Sequence, residues 1–544
     1  MMSRYLIGVC ILLVGGTIAL AAPPYDPGRP EEVAPPPPQV GMPQGLVPVY
    51  TGPGQVLGCP VLSENTQPPQ MQPAQPAATD QPLPINLPTA LYLSNARPLV
   101  IAAARSSVEE AAALLQSARV LGLPNLNFGT DFYRHTGLDQ STDGTIIRDN
   151  KSAFATGGGA TLDFGITDAI FVPLVARQNL AAREADLQAA RNDALFTVAV
   201  AYFDVQQARG TLAGALDAVE KSEVLARKVT GLAGGLVSRN EIDRVRALEF
   251  DLQQQAIAAR ANWRIASSRL ARVLRLNPGA VVVPLEPPHL QIAMISPRLA
   301  VADLIPVGLA NRPELSSQRA LVQASEQRVR QERVRPLLPT VVMQGTGPGG
   351  YFNGGVFGGG PDDGTHLYGG RFDMEVGAVW TLDNLGLGNR ARVHERVAQE
   401  QRACIDLADT QDRVAQEVVE ARANLEAADL QVESAKTTVR ESVITYNGTL
   451  IGIGQTRAAG GLLELINRPQ EAVAALQEMK RSYDLYFTAI NNYNRAQFQL
   501  YRALGYPARI LVCDRPVGQP GPVDTSRPPG MAPDCPHLLS RPCP

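Results

Sequence analysis

Two long stretches of the sequence contain no proline, and they constrain the fold more than any other feature. The first stretch runs from Leu174 to Asn277 and the second from Asp362 to Arg468, with 104 and 107 residues respectively. At the chain's average of 44 prolines in 544 residues, each stretch would hold about eight. Proline removes a backbone donor and clashes with the preceding helical turn, so its absence is typical of unbroken helices.

Each stretch has the apolar spacing of two helices separated by a glycine-rich break. Glycines cluster at 231–235 and at 452–461, and glycine favours helix ends and turns. Helices are predicted over 178–230, 240–275, 388–450 and 462–505. A helix of 50–60 residues would be roughly 75–90 Å long. Two such hairpins exceed what a globular core needs and predict a coiled-coil-like bundle.

Four shorter segments alternate apolar and polar residues, which is typical of β-strands with two different faces. They lie at 126–132, at 160–168, from 341 onward, and at 372–383. Aromatic residues also concentrate in this part of the chain. One apolar and one polar face fit a transmembrane β-barrel, although an ordinary sandwich strand alternates in the same way. The glycine-rich segment 345–370 is predicted to be an external flexible loop.

Four strands cannot close a barrel, for which about eight is the practical minimum. An open sheet edge in lipid leaves backbone groups unsatisfied, so the chain is expected to oligomerise. Three copies would give twelve strands. The polar side chains of the segments would then line a water-filled lumen and favour cations. The acidic ones are Asp131, Asp163, Asp373 and Glu375.

The sequence indicates an internal duplication, because the segments from Pro98 to Leu123 and from Pro313 to Leu338 have the same length and the same boundaries. The second copy is predicted to be longer, mostly along its helices. The predicted organisation is a signal peptide at 1–21, a Pro-rich disordered segment at 22–88, a first repeat at 89–276, a linker at 277–300, a second repeat at 301–506 and a Pro- and Cys-containing tail at 507–544. An uncleaved membrane anchor is the alternative to the signal peptide.

Over about 90–510, the sequence resembles the TolC-like outer-membrane efflux proteins, also called outer membrane factors. The resemblance rests on the order of several motifs in both halves. They are Asn311-Arg312-Pro313-Glu314-Leu315 with Leu338-Pro339-Thr340, Gly235-Leu236-Val237-Ser238 ahead of a long Ala-, Gln- and Arg-rich segment, and Tyr493-Asn494-Arg495-Ala496 ahead of Leu500 to Gly505.

The resemblance implies an α+β membrane protein. In this family three copies share a twelve-stranded outer-membrane barrel, which a long α-helical barrel continues into the periplasm. The implied role is the exit channel of a tripartite efflux pump or a type I secretion system. The implied partners are a periplasmic adaptor, an inner-membrane transporter that supplies the energy, outer-membrane lipid and two further copies of the chain.

The same resemblance assigns adaptor contacts to the helical tips, which are otherwise plain helical turns. At the first tip these residues are Gly235, Leu236, Val237 and Ser238. At the second tip Gly461, Leu462 and Leu463 follow the motif, but Glu464 stands where the motif has serine. Arg457 and Glu464 are candidates for lining a periplasmic aperture.

Other classes of function fit the sequence less well. Lys and Arg number 49 against 52 Asp and Glu, a balance that argues against nucleic acid binding. We find no catalytic constellation, metal motif or cofactor fingerprint, and expect a protein that is not an enzyme. Two alternatives remain: a soluble periplasmic coiled-coil adaptor or scaffold, and a structural envelope protein of the same family without a channel.

Overall fold

A computed structural model describes residues 71–96, 98–232, 236–345, 353–361, 367–459 and 462–505. The predicted signal peptide and tail therefore lie outside the described residues. The described residues form eight α-helices and ten β-strands. None of these helices has a stretch both long and apolar enough to cross a lipid bilayer.

The two halves of the chain have the same order of helices. The first half contains β1 (Gln81–Ile85), α1 (Leu87–Ala96), α2 (Leu99–Arg119), β2 (Asn125–Gln140), β3 (Ile146–Gly165), α3 (Ile166–Gly231) and α4 (Arg239–Val273). The second half contains β4 (Ala280–Pro284), α5 (Val301–Asn311), α6 (Pro313–Val334), β5 (Thr340–Gln344), β6 (Gly354–Pro361), β7 (Leu367–Phe372), β8 (Glu375–Val379), α7 (Leu387–Gly452), β9 (Thr456–Ala459), β10 (Leu462–Leu465) and α8 (Pro469–Ala503).

The long helices predicted from the missing prolines are present. Helices α3 and α7 each have 66 residues, which makes each about 100 Å long. Helices α4 and α8 each have 35 residues. The prediction that the second copy is longer along its helices is therefore wrong. Its additional residues lie between α6 and α7 and in the connection 453–468, which is longer than the connection 232–238 of the first half.

Two predicted helix starts differ from the structure, the first because proline was read as a barrier and the second because a hairpin was missed. Helix α3 begins at Ile166, and Pro173 lies inside it. The strand predicted over 160–168 therefore ends at Gly165. Pro173 removes one backbone hydrogen bond beyond the first turn, and the helix continues on both sides of it. Helix α8 begins at Pro469 and not at 462, because β9 and β10 form a hairpin in the residues before it.

The main sheet is antiparallel and has β3 at its centre. Strand β3 pairs with all 16 residues of β2 along one edge. Along its other edge it pairs with β6 and, nearer the helices, with β5. At the level of β6 and β7 the sheet is four strands wide, as predicted, and toward the helices it continues as β3, β5 and β8.

The prediction of a flexible loop over 345–370 is wrong for the residues that form β6 and β7. Segments 346–352 and 362–366 lie outside the described residues. The glycines here allow close approach of neighbouring strands. A Cβ atom on Gly355 would lie 2.3 Å from the Thr156 carbonyl oxygen, and one on Gly157 would lie 2.2 Å from the Gly354 carbonyl oxygen.

The prediction of disorder up to residue 88 is wrong for residues 71–88. Strand β1 pairs in parallel with β4, which itself lies in the predicted linker 277–300. Helix side chains hold β4 and the segment that precedes β1. Arg209 Nε donates to the Ala74 carbonyl oxygen (3.2 Å), and Arg209 Nη1 donates to the Pro284 carbonyl oxygen (2.6 Å). Trp263 Nε1 donates to the Val282 carbonyl oxygen (3.0 Å).

Two apolar cores hold the helices together. One is built from α3, α4, α7 and α8 and extends toward the helical tips. The other joins α3 and α4 to α1, β1 and β4. Helix α4 packs on α3, α3 packs on α8, and α8 packs on α7. Helices α4 and α7 are therefore the outer members of this group of four.

Candidate functional site

The register of the strands shows which side chains share a face of the main sheet. Asp131 lies opposite Ala155, which lies opposite Phe357. Asp163 lies opposite Val342 in the same sheet. Because directly opposed residues point to the same side, and so do every second residue along a strand, Asp131 and Asp163 share one face.

The other two predicted lumen acids belong to the same face, which we call the polar face. Glu375 lies opposite Gln344, two residues along β5 from the partner of Asp163. The Gln344 side-chain amide donates to Glu375 Oε2 (3.3 Å). Asp373 lies in the short break between β7 and β8, and its carboxylate forms an ion pair with Arg371 of the polar face.

Two cations of the polar face are each paired with carboxylates. Lys151 lies between Asp139 and Asp149, with Nζ 3.0 Å and 2.9 Å from their carboxylate oxygens. Arg371 is the second cation. Asp131 and Asp163 have no hydrogen-bond or ion-pair partner among the described residues. The described part of the polar face therefore keeps an excess of negative charge.

The opposite face, which we call the apolar face, carries large exposed hydrophobic side chains. Phe128 is 81% exposed and Phe372 is 73% exposed. These two rings lie at the two edges of one row across the sheet, because Gly158 and Gly354 connect them through the register. A Cβ on Gly158 would lie 2.6 Å from the Phe128 ring, so each glycine provides the surface on which a ring rests.

The first helical tip is the connection between α3 and α4. Gly235 lies outside the described residues. Leu236 is exposed, whereas Val237 packs against the core of the four helices. Ser238 is the N-cap of α4, and its carbonyl oxygen accepts from the Glu241 N–H (3.2 Å).

The second tip contains a β-hairpin in place of the predicted turn. Arg457 lies directly opposite Glu464, while Leu462 and Leu463 are paired with β9. Gly461 lies outside the described residues. The base of the hairpin is fixed by Ile453, which is fully buried in the core of the four helices.

The motif alignment of the two tips needs correction. Ser238 is the N-cap of α4, and Arg468 is the N-cap of α8. When the two halves are aligned by the starts of these helices, Ser238 therefore corresponds to Arg468 and not to Glu464. Leu462, Leu463 and Glu464 belong to the β9–β10 hairpin, which has no counterpart among the described residues of the first tip.

Sequence reasoning missed the contacts that tie the two tips together. Lys228 Nζ, in the last turn of α3, donates to the Leu450 carbonyl oxygen near the end of α7. The Tyr446 hydroxyl donates to the Lys221 carbonyl oxygen (2.9 Å). Burial, reinforced by the nearby Asp217 carboxylate, raises the pKa of Tyr446 to about 12. A polar group at an apolar stripe position is the signal that identifies Tyr446.

The same signal identifies two buried amides of α8 that hold the segment after β4. Asn494 Oδ1 accepts from the Ile292 N–H (2.9 Å), and Asn494 Nδ2 donates to the Leu290 carbonyl oxygen (2.7 Å). Gln497 Oε1 accepts from the Ile295 N–H (2.9 Å). Both side chains are fully buried, so each amide replaces water for backbone groups that would otherwise lack a partner.

No protein-family model and no curated protein matches the sequence. Solved structures do match the fold. The outer membrane channel CmeC of Campylobacter jejuni has 15% identity and a TM-score of 0.59, over 77% of this chain and 85% of CmeC. The outer membrane protein VceC of Vibrio cholerae has 14% identity and a TM-score of 0.58, over 77% of this chain and 96% of VceC.

The open state of the MtrE outer membrane channel of Neisseria gonorrhoeae has 16% identity and a TM-score of 0.61, over 82% of this chain and 98% of MtrE. These identities are low, but the shared architecture covers most of each chain. The chain has the α+β fold of these outer-membrane proteins, with an antiparallel sheet at one end of very long helices. The resemblance found in the sequence is confirmed at the level of the fold.

Proposed function

We propose that this protein is one subunit of an outer-membrane exit duct, with its sheet in the membrane and its helices in the periplasm. The duct is passive, and an inner-membrane transporter supplies the energy. It serves a tripartite efflux pump or a type I secretion system and is not an enzyme. The observation that carries the proposal is a sheet with one polar face, one apolar face and two open edges, at the end of helices about 100 Å long.

The two faces of the sheet suit lipid on one side and water on the other. On the apolar face, Phe128 and Phe372 are exposed together in one row. Exposed aromatic rows are typical of the interface girdles of membrane barrels. The polar face carries Asp131 and Asp163 without partners among the described residues, and carboxylates are stable there only in contact with water.

The open edges of the sheet support a closed assembly of several copies. Within the described residues, the outer edges of β2, β7 and β8 have no strand partner. Unpaired backbone groups in lipid cost several kcal/mol each, so these edges must pair with each other between copies. Three copies of a sheet four strands wide give the twelve strands of a homotrimeric barrel.

The outer helices supply a matching contact below the sheet. Helix α4 carries seven Lys or Arg and four Asp or Glu, a net charge of +3. Helix α7 carries eight Lys or Arg and eleven Asp or Glu, a net charge of −3. Each also has an exposed apolar stripe: Phe250, Ile257 and Ile265 on α4, and Leu430, Ile444 and Ile451 on α7. We assign α4 of one copy to pack against α7 of the next, in a head-to-tail ring.

The tips are the proposed contact with the periplasmic adaptor. The first tip offers Leu236 with its neighbours Gly235, Val237 and Ser238. The second offers the β9–β10 hairpin with Gly461, Leu462 and Leu463. Arg457 and Glu464, opposite each other in that hairpin, are proposed to lie at the periplasmic aperture. The equal lengths of the paired helices support an internal duplication with repeats at 89–276 and 301–506.

Purification followed by bilayer recording tests the proposed function. The protein should require detergent for extraction, run as a trimer, and give stepwise single-channel currents. Currents should persist without nucleotide and without a partner. Extraction in plain buffer as a monomer would favour the adaptor or scaffold alternative, and a trimer in the membrane that conducts no current would favour the structural envelope protein.

A further inference from the structure

A cavity of about 570 Å³ lies on the polar face where β2, β3, β6 and β7 meet. Its side walls are Asp131 and Tyr133 on β2 and Phe357 and Arg371 on β6 and β7. Its floor is formed by small residues, among them Ala153, Ala155 and Gly359. The volume is in the range of cavities that hold drug-sized organic molecules.

The wall formed by β6 and β7 carries an aromatic ring with an arginine beside it. The Arg371 guanidinium carbon lies 5.7 Å from the centre of the Phe357 ring. Arg371 also forms an ion pair with Asp373, so its charge is already compensated. The Phe357 ring therefore lines the cavity as an aromatic wall with a neutralised guanidinium beside it, against which a further flat ring can pack.

The wall formed by β2 carries the uncompensated charge. Asp131 has no ion-pair partner among the described residues, and Tyr133 stands two residues along the same face. Asp131 and Phe357 lie two strands apart, which corresponds to about 10 Å at the usual strand spacing. A flat ring with an amine on its edge spans this distance.

We propose that this cavity is a binding site for aromatic cations in transit through the duct. The aromatic ring stacks on the Phe357–Arg371 wall, and the cationic group pairs with Asp131. The inference rests on the proposed function, because it treats the polar face as the lumen, and it deepens that function by naming a class of cargo.

Channel block by ethidium, an aromatic cation, tests the site. Ethidium should block wild-type single-channel current reversibly, and Asp131→Asn should raise the half-blocking concentration about tenfold through loss of the ion pair. Phe357→Ala should raise it about fivefold through loss of the stacking surface. Tetraethylammonium, a cation without a ring, should block weakly and should be insensitive to Phe357→Ala.

The matched control is Asp163→Asn. It removes the same charge from the same face, outside the cavity and without a partner among the described residues, so it should leave ethidium block nearly unchanged. Equal effects of the Asp131 and Asp163 variants would overturn the site and leave a general negative lumen. Stronger block by naphthalenesulfonate, an aromatic anion, would also overturn it.

Binding measured without conduction separates the site from the duct. Ethidium fluorescence titrated with detergent-solubilised protein should show tighter binding to wild type and to Asp163→Asn than to Asp131→Asn. If ethidium affinities follow this order but the protein forms no channel, the result contradicts the proposed function and supports the binding site. If the channel conducts but the three proteins bind ethidium equally, the result contradicts the binding site and supports the proposed function.

Discussion

The two helical tips of this chain differ although the helices that lead to them have equal lengths. Helices α3 and α7 have 66 residues each, and α4 and α8 have 35 each. The first connection, 232–238, is short. The second, 453–468, contains the β9–β10 hairpin. The helix lengths set where both tips lie, and only the connections distinguish them.

This difference indicates that packing constrains the lengths of the helices but not the structures of the connections at the tips. A helix that packs along its whole length against neighbours cannot change length in one half alone without shifting every contact. A connection at the end of the bundle is free of that constraint, because loops tolerate insertion. The hairpin is nevertheless anchored, since Ile453 is fully buried at its base.

The largest loss of stability is expected at Ile453, the buried anchor of the second tip. Replacing Ile453→Ala removes a fully buried side chain from the core of the four helices and should lower the free energy of unfolding by about 3 kcal/mol. Urea unfolding followed by circular dichroism measures it. Gln455→Ala, at an exposed position two residues away, is the control and should change little. Equal losses in both variants would show that the hairpin base is not anchored.

A smaller loss of stability is expected at the hydrogen bond that joins α3 of the first half to α7 of the second half. Lys228→Met removes the ammonium that donates to the Leu450 carbonyl oxygen near the end of α7 and should cost about 1.5–2 kcal/mol. Hydrogen exchange should increase at the end of α7 and in β9. Arg227→Met, on the exposed side of the same turn, is the matched control. Unchanged exchange in the Lys228 variant would mean that the two tips are independent.

Tyr446 makes the link between the two halves sensitive to alkaline pH. Its pKa is raised from 10.0 to about 12, so folding favours the neutral phenol. The resulting stabilisation is complete below pH 10 and is lost as the pH rises through about 12. Tyr446→Phe should cost about 1 kcal/mol at neutral pH through the lost hydrogen bond to Lys221.

In the Tyr446→Phe variant the free energy of unfolding should also fall less steeply between pH 10 and pH 12 than in wild type. Unfolding measured at a series of alkaline pH values tests this. Tyr92→Phe, at an exposed position, should preserve the wild-type slope. An unchanged slope in the Tyr446 variant would contradict the assigned pKa shift.

The smallest effect on stability, and the most selective effect on partner binding, is expected at Leu236. Because its side chain is exposed, Leu236→Ala should change the free energy of unfolding by less than about 0.5 kcal/mol. Val237→Ala truncates a side chain that packs on the core and should cost more. Adaptor binding measured by surface plasmon resonance should weaken in the Leu236 variant, and unchanged binding would exclude this side chain from the contact.

Periodicity and composition predicted the long helices and the alternating strands, because both depend on local chemistry. The side on which Asp131, Asp163 and Glu375 lie was predictable, since alternation fixes the face of a strand. Proline and glycine were less informative. Pro173 lies inside α3, and Gly355 lies in a strand because the backbone of Thr156 approaches it closely.

The remaining errors concern contacts between distant parts of the chain. The order of residues 71–88 depends on Arg209, which donates to the Ala74 carbonyl oxygen, and on pairing with β4. The hairpin at the second tip depends on pairing between β9 and β10, which the glycine-rich composition concealed. The cavity between Asp131 and Phe357 forms from four neighbouring strands, and their register is invisible without the structure.

The parallel pairing of β1 with β4 has a consequence for the order in which the chain assembles. Gln81 pairs with Ala280, and the Leu87 N–H donates to Glu286 Oε1 (2.8 Å) across 199 residues. During synthesis β1 emerges early and waits unpaired until both long helices of the first half have followed. Such long-range closure is slow, and Pro82 and Pro84 protect β1 from wrong pairing meanwhile, because proline has no N–H to donate. Chains that end before residue 280 should therefore leave β1 without its strand partner, and limited proteolysis within residues 71–88 of such truncated chains should be faster than in the full chain.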